Sequence, residues 1–201
     1  MVVPSTTVPS ATVPNADLTG RARIRQAALQ LYAAHGAEAV SLRRVAREAG
    51  ATPGLVTHHF GSRAGLYRAV QDHVVEMFRA ALERIPPQGS ARTVAAARTE
   101  SLEQMLADNP AVTDFVRREL LSPAPDDDYL GRALVDLSIE QTARLREAGT
   151  LPIDVPAHVQ AVQIVVAQLG RMLIGPAMER AWEQAGGPAE IPEVRVTLKG
   201  V

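Results

Sequence analysis

An all-α protein is expected from two properties of the 201-residue sequence. From Leu18 onward apolar residues recur at helical spacing, and the periodic segments are bracketed by helix start and stop residues. No segment alternates strictly between apolar and polar, as a half-buried strand does. The elements divide into a head at 17–70, built of three short helices, and a longer helical body at 71–186. An N-terminal arm at 1–16 and a tail at 187–201 flank them and are expected to be disordered and flexible, respectively.

In the arm, a Val-Pro-Ser/Asn element repeats with almost no charge, and proline favours extended chain there. The first helix places Ile24, Ala28, Leu31 and Tyr32 on one face and stops at Gly36. Ser41 caps a short helix over 42–49 with Val45 and Ala49 inward, and Gly50 supplies a turn. Thr52 followed by Pro53 is a hydroxyl cap before proline at the first helical position. Gly61 and Ser62 end that helix and cap the next, which runs from Arg63 to about Ile85 on a stripe of Leu66, Val70, Val74, Met77 and Ala81. Pro86-Pro87-Gln88-Gly89 is the clearest break. Helices are expected near 91–107, 111–121, 127–148 and 156–184, the last kinked or broken at Gly175-Pro176.

The net charge of −1 conceals an asymmetry. Through Val70 eight arginines face three acidic residues, whereas the remainder holds 13 basic against 19 acidic residues. A basic head on an acidic body points to a head that binds a polyanion. The absence of cysteine excludes a disulfide framework, a thiolate metal site and a cysteine nucleophile. Residues 1–16 lack the basic start and apolar run of a secretory signal. The stretch Ala161–Ile174, interrupted by Gln163, Gln168 and Arg171, reads as too short and too polar for a bilayer span. A cytoplasmic protein without membrane contact is expected.

A helix-turn-helix needs a small residue where its helices cross, a turn residue tolerant of positive φ, and an apolar lock on the second helix. Ala46, Gly50 and Val56 stand at that spacing, with Val45, Ala49 and Ala51 between them. Around them lie Ile24, Ala27-Ala28, Gly36, Ser41-Leu42-Arg43-Arg44-Val45-Ala46, Ala49-Gly50, Gly54-Leu55-Val56, His59-Phe60 and Leu66. On these residues Leu18–Val70 resembles the DNA-binding domain of the TetR family of repressors, in particular an actinobacterial branch of it.

With Val56 facing the core, Pro53, Gly54, Thr57 and His58 should face outward, Gly54 permitting close approach to a groove. Leu55 either touches a thymine methyl or packs on the first helix. The resemblance implies phosphate contacts at Ser41, Thr52, Thr57, His59 and Arg63, and Arg43 and Arg44 join the DNA-binding set. Two positions depart from the family, which often has Tyr at 57 and Lys at 63. Arg63 keeps the charge, whereas Thr57 reaches less far.

The resemblance also implies a homodimer on a near-palindromic double-stranded DNA operator, paired through its last two long helices. The last helix carries Val155, Val159, Val162, Val166, Leu169 and Leu173, widened by Ala161, Ile164, Val165 and Met172. A helix apolar on most sides needs cover on most sides. A small-molecule effector would sit among the body helices, against Phe78, Gln104, Met105, Phe115, Leu134, Leu137, Gln141, Gln168 and Met172, and release the operator by displacing the helix from Arg63 to Ile85. No cofactor or metal is expected. Adjacent His58 and His59 point about 100° apart on a helix, too divergent to chelate one ion. Asp126-Asp127-Asp128 reads as acids at a helix N-terminus, with a divalent-cation site as the alternative. No phosphate loop, dinucleotide fingerprint or Gly-x-Ser-x-Gly elbow marks an enzyme. A helical module using its helix-turn-helix for protein contacts is the other alternative.

Overall fold

The computed structural model describes residues 15–121 and 128–188, which form eight α-helices and one 3-10 turn. Helix α1 spans Asn15–His35, and the 3-10 turn spans Ala37–Ala39. Then come α2 (Leu42–Glu48), α3 (Pro53–Phe60), α4 (Arg63–Glu83) and α5 (Ala91–Asp108). The remaining helices are α6 (Pro110–Leu121), α7 (Tyr129–Glu147) and α8 (Ala157–Gln184). Among the described residues there is no strand. Most of the arm and tail, the segment 122–125, Asp126 and Asp127 lie outside the described residues. Helix α1 begins at Asn15, so two residues assigned to the arm are helical.

Local chemistry sets the short helices of the head. The hydroxyls of Ser41, Thr52 and Ser62 each accept the backbone N–H three residues on, from Arg44, Leu55 and Gly65, at 3.2, 3.2 and 3.0 Å. Each thereby satisfies a donor that the first helical turn leaves without a partner. Helix α2 ends in a Schellman turn: Ala51 N–H donates to the Ala46 carbonyl and Gly50 N–H to that of Arg47. Gly50 sits at φ +59°, where a side chain would be strained. Ile24, Ala28, Val45, Ala46, Val56, Leu66 and Val70, all buried, lock the helices together.

Helix α4 belongs to both head and body, so the expected division at residue 70 falls within a continuous helix. Its buried face carries Leu66, Val70, Val74, Phe78 and Ala81, with Phe78 rather than Met77 on the stripe. The ion pairs of Arg79 with Glu140 and of Glu83 with Arg144 tie α4 to α7, and Arg144 also pairs with Glu140 one turn back along α7. Helix α6 packs against α1. Arg118 donates to the carbonyls of Ala33 and Ala34 at the end of α1, and Tyr67 meets both Tyr32 and Phe115 edge-on.

The expected break at Gly175-Pro176 does not occur, since α8 is continuous over 28 residues. Proline has no N–H to offer the carbonyl four residues earlier, that of Met172. Arg117 of α6 supplies the missing donors, from Nε at 3.3 Å and a terminal nitrogen at 3.0 Å. Continuity also revises the expectation about this segment's length and polarity. Ala157–Gly175 is long and apolar enough to cross a membrane by length and composition, and only 28% of it is buried. Its inner face packs on α7, where the Ser138 hydroxyl donates to the Ala161 carbonyl at 2.8 Å.

At the seam between α1 and α4, burial and then the Arg25 guanidinium hold the His73 imidazole below its usual pKa of 6.5. The unfolded chain therefore binds this proton more tightly than the folded one. Stability should be undiminished above pH 6.5 and fall as pH drops toward the folded value. His73→Gln is expected to lose less Tm than the parent between pH 7 and pH 5, measured by thermal denaturation at fixed ionic strength. Equal losses would assign the acid sensitivity to other groups.

Candidate nucleic-acid interface and internal cavity

Helix α3 is held from beneath by Val56 and Phe60, both buried. Its other face leaves Thr52, Pro53, Gly54, Thr57 and His58 exposed. Nothing crowds Gly54: a Cβ there would meet only the Thr52 hydroxyl, at 3.9 Å. The Thr57 hydroxyl donates to the Pro53 carbonyl at 3.2 Å, which leaves its oxygen as an acceptor and commits its proton to the helix. Leu55 is half-buried against the hydrophobic core, so packing takes much of its side chain.

Three basic candidates are engaged within the head. Arg44 reaches back to His35 at 2.7 Å, linking α2 to the end of α1. Arg63 donates to the Ala37 carbonyl at 2.6 Å and remains exposed, so other guanidinium donors can reach outward. His59 is half-buried, and a side chain at Gly20 of α1 would meet its Nε2 at 3.6 Å. It therefore lies toward α1, beside the outward-facing histidine at 58. Ser41 and Arg43 are exposed at the start of α2. Arg21, stacked over the Phe60 ring at 5.5 Å, and Arg23 and Arg47 extend the exposed basic surface. Among the described residues, no cluster of three or more His, Asp or Glu side chains could hold a metal ion.

The body encloses a cavity of about 580 Å³ between α4, α5, α6, α7 and α8, a volume typical of sites that bind small molecules. Of the nine candidates named from sequence, Phe78, Leu134, Leu137, Gln141, Gln168 and Met172 line it. The other three do not. Gln104 is exposed and donates to Asp108 at 2.8 Å, one helical turn along α5. Met105 is buried in the core, and Phe115, fully buried, packs on Tyr67.

Sequence reading missed Arg98, Ser138, Thr142 and Thr150, four buried polar residues of the cavity wall. A signal was present for Arg98. With Val94, Leu102 and Met105 it forms the buried face of α5, so a guanidinium occupies an apolar register.

Comparison with known proteins agrees with this architecture. Residues 24–70 match the family of bacterial regulatory proteins described as the tetR family. Over 64 residues the chain is 50% identical to the HTH-type transcriptional regulatory protein RaaS of Mycobacterium tuberculosis. That match spans 32% of this chain and 30% of the mycobacterial protein, so it covers less than a third of either. One solved structure, described as a molecular basis for control of antibiotic production by bacterial hormones, superposes with a TM-score of 0.62 at 25% identity. It covers 82% of this chain and 89% of that one. The SmeT–triclosan complex superposes with a TM-score of 0.61 at 21% identity, covering 81% and 82% of the two chains.

Proposed function

We propose, from the match of residues 24–70 to the tetR family of bacterial regulatory proteins, that the chain is a ligand-responsive transcriptional repressor of that family. It binds a near-palindromic double-stranded DNA operator as a homodimer and leaves it when a small molecule fills the body cavity. The observation that carries this reading is the outer face of α3. Pro53, Gly54, Thr57 and His58 stand exposed on a helix that Val56 and Phe60 fix to the core.

This face enters the major groove, where His58 and the Thr57 oxygen meet base edges. Ser41, Thr52, Arg43 and Arg63 contact phosphates on either side, and the basic surface of α1 and α2 adds long-range attraction. One head makes few contacts. Two heads about 34 Å apart reach successive turns of one DNA face. The partly covered face of α8, with Ile174 56% and Met178 44% exposed, supports pairing with a second copy. A cytoplasmic regulator without catalytic activity follows from this role.

Cavity and head are joined through α6. Arg117 holds the α8 carbonyl at Met172, and Arg118 holds the last carbonyls of α1. A ligand that shifts α8 or α4 therefore has a mechanical route to the head, and coupling of about 1–3 kcal/mol changes operator affinity 5–150-fold or so. The fold relative SmeT, solved with triclosan, supports a body that holds a small molecule.

Selection of bound fragments from genomic DNA, followed by affinity measurements across salt concentrations, tests the reading. A repeated inverted motif and a steep loss of affinity with salt are expected. Binding without sequence preference, or without salt dependence, would refute it. Arg63→Ala should weaken all sequences alike and lower the salt slope by about 1. Thr57→Ala and His58→Ala should instead alter which bases are preferred. Equal losses with unchanged preference for all three variants would remove this division of roles, and Arg63→Lys separates lost charge from the lost Ala37 contact.

A further inference from the structure

We propose that the body cavity binds an amphipathic monoanion, an apolar molecule with one carboxylate-type head, and that Arg98 is the residue that holds the head. This rests on the effector reading above and specifies the chemistry of its ligand.

Arg98 is only 6% exposed. Among the described residues it has no hydrogen bond or ion pair, and its Nε is buried without a partner. Burial, and then the nearby Arg144, disfavour its charged form and hold its pKa below the usual guanidinium value. A guanidinium still keeps its proton at neutral pH, so the buried charge calls for an anion. On α7, which contributes to the same cavity wall, Gln141 and Thr142 are 4% and 1% exposed. Both amide atoms of Gln141 and the Thr142 hydroxyl also lack hydrogen-bond partners. All three residues line the cavity. The free donors among these groups, the Arg98 guanidinium, the Gln141 amide nitrogen and the Thr142 hydroxyl, call for acceptor oxygens, and a carboxylate presents two oxygens with about four lone-pair sites.

The remaining wall selects the body of the ligand and limits its charge. Phe78, Leu82, Leu102, Leu134, Leu137 and Met172 give an apolar surface that suits a hydrocarbon portion. Arg117 is committed to the Met172 carbonyl and lies near Asp114. Arg171 is exposed and bonded to Thr99, and the exposed Glu103 brings a negative charge to the same rim. One buried cation therefore remains without a partner. A neutral ligand leaves it unpaired, a cation is repelled, and a dianion brings a second charge with no buried counterpart.

Calorimetric titration of the full-length protein with decanoate and with 1-decanol, at pH 7.5 and low ionic strength, tests the proposal. Decanoate is expected to bind at least about tenfold more tightly, through charge-assisted bonds the alcohol cannot make. Arg98→Met should abolish that preference by weakening decanoate alone. Arg98→Lys, which keeps the charge, should retain part of it and covers the case in which the Met variant fails to fold. Equal binding of the two probes to the parent protein, or undiminished decanoate binding by Arg98→Met, would overturn the anion assignment while leaving an apolar effector cavity standing. Binding of neither probe would reject the cavity's effector role together with this assignment, whereas the DNA-binding reading is judged by its own salt and sequence dependence.

Discussion

Gly65→Ala is expected to weaken specific DNA binding severely and to lower the melting temperature, although residue 65 faces no DNA in the proposed interface. A Cβ at this position would lie 2.1 Å from the carbonyl oxygen of Phe60 and 3.3 Å from its carbonyl carbon. Both are backbone atoms, so no side chain can swing aside. Phe60 is the last residue of α3, and its carbonyl also accepts the Ser62 N–H at 2.8 Å. Relief of the clash must therefore move the end of α3 away from the start of α4. Overpacking of this kind costs roughly 1–3 kcal/mol, and a helix displaced by about 1 Å loses base contacts worth roughly 1–3 kcal/mol each. A loss of about 100-fold or more in operator affinity is the expected result of two such contacts. Gly54→Ala is the informative contrast. Its Cβ meets nothing closer than 3.9 Å, so Tm should be unchanged while DNA affinity falls through lost approach to the groove. Fluorescence anisotropy with a labelled operator and thermal denaturation read both quantities. A Gly65→Ala protein with parental Tm and affinity would show that the α3–α4 turn yields without cost.

The contrast between these glycines also marks what a sequence can disclose. Gly50, with Ala46 and Val56, is legible because a helix-turn-helix fixes its small, turning and locking residues at short separations. The caps at Ser41, Thr52 and Ser62 are legible for the same reason, each bond spanning three residues. Gly65 is hidden, since its need arises from the path of the preceding turn and not from its own φ. Continuity of α8 is hidden more deeply. The carbonyl that Pro176 leaves without a donor is satisfied by Arg117, 55 residues earlier in the chain than Met172.

Within the cavity, the apolar and amide candidates on α4, α7 and α8 fall on its wall, whereas Gln104, Met105 and Phe115 do not. Residue type indicates what suits a pocket but not which way a side chain faces. The charge at Arg98 was discernible only by asking why an arginine stands in the apolar register of α5.

Arg98→Met should raise the stability of the ligand-free protein. An unpaired charge 6% exposed is taken out of water without a counter-ion to offset its lost hydration. Methionine occupies a similar length without charge and suits the leucines and phenylalanine around the cavity. The gain is expected to be about 1–3 kcal/mol, and a chain of this size shifts in Tm by about 2–4 °C per kcal/mol. Ligand should reverse the order. At a decanoate concentration about 100 times its dissociation constant, binding stabilises the parent by about 2.7 kcal/mol, while the variant, having lost the anion contact, gains far less. The two melting temperatures should therefore cross as decanoate is titrated. The sign of the ligand-free difference is decisive on its own: an Arg98→Met protein less stable than its parent would mean that the guanidinium contributes to folding through partners of its own, and that no vacancy for an anion is built around it. A cavity that keeps a charge at a cost in stability holds a binding site in reserve, and the anion that completes it would at the same time tighten α5 against α7, the two walls on which Arg98 and Gln141 stand.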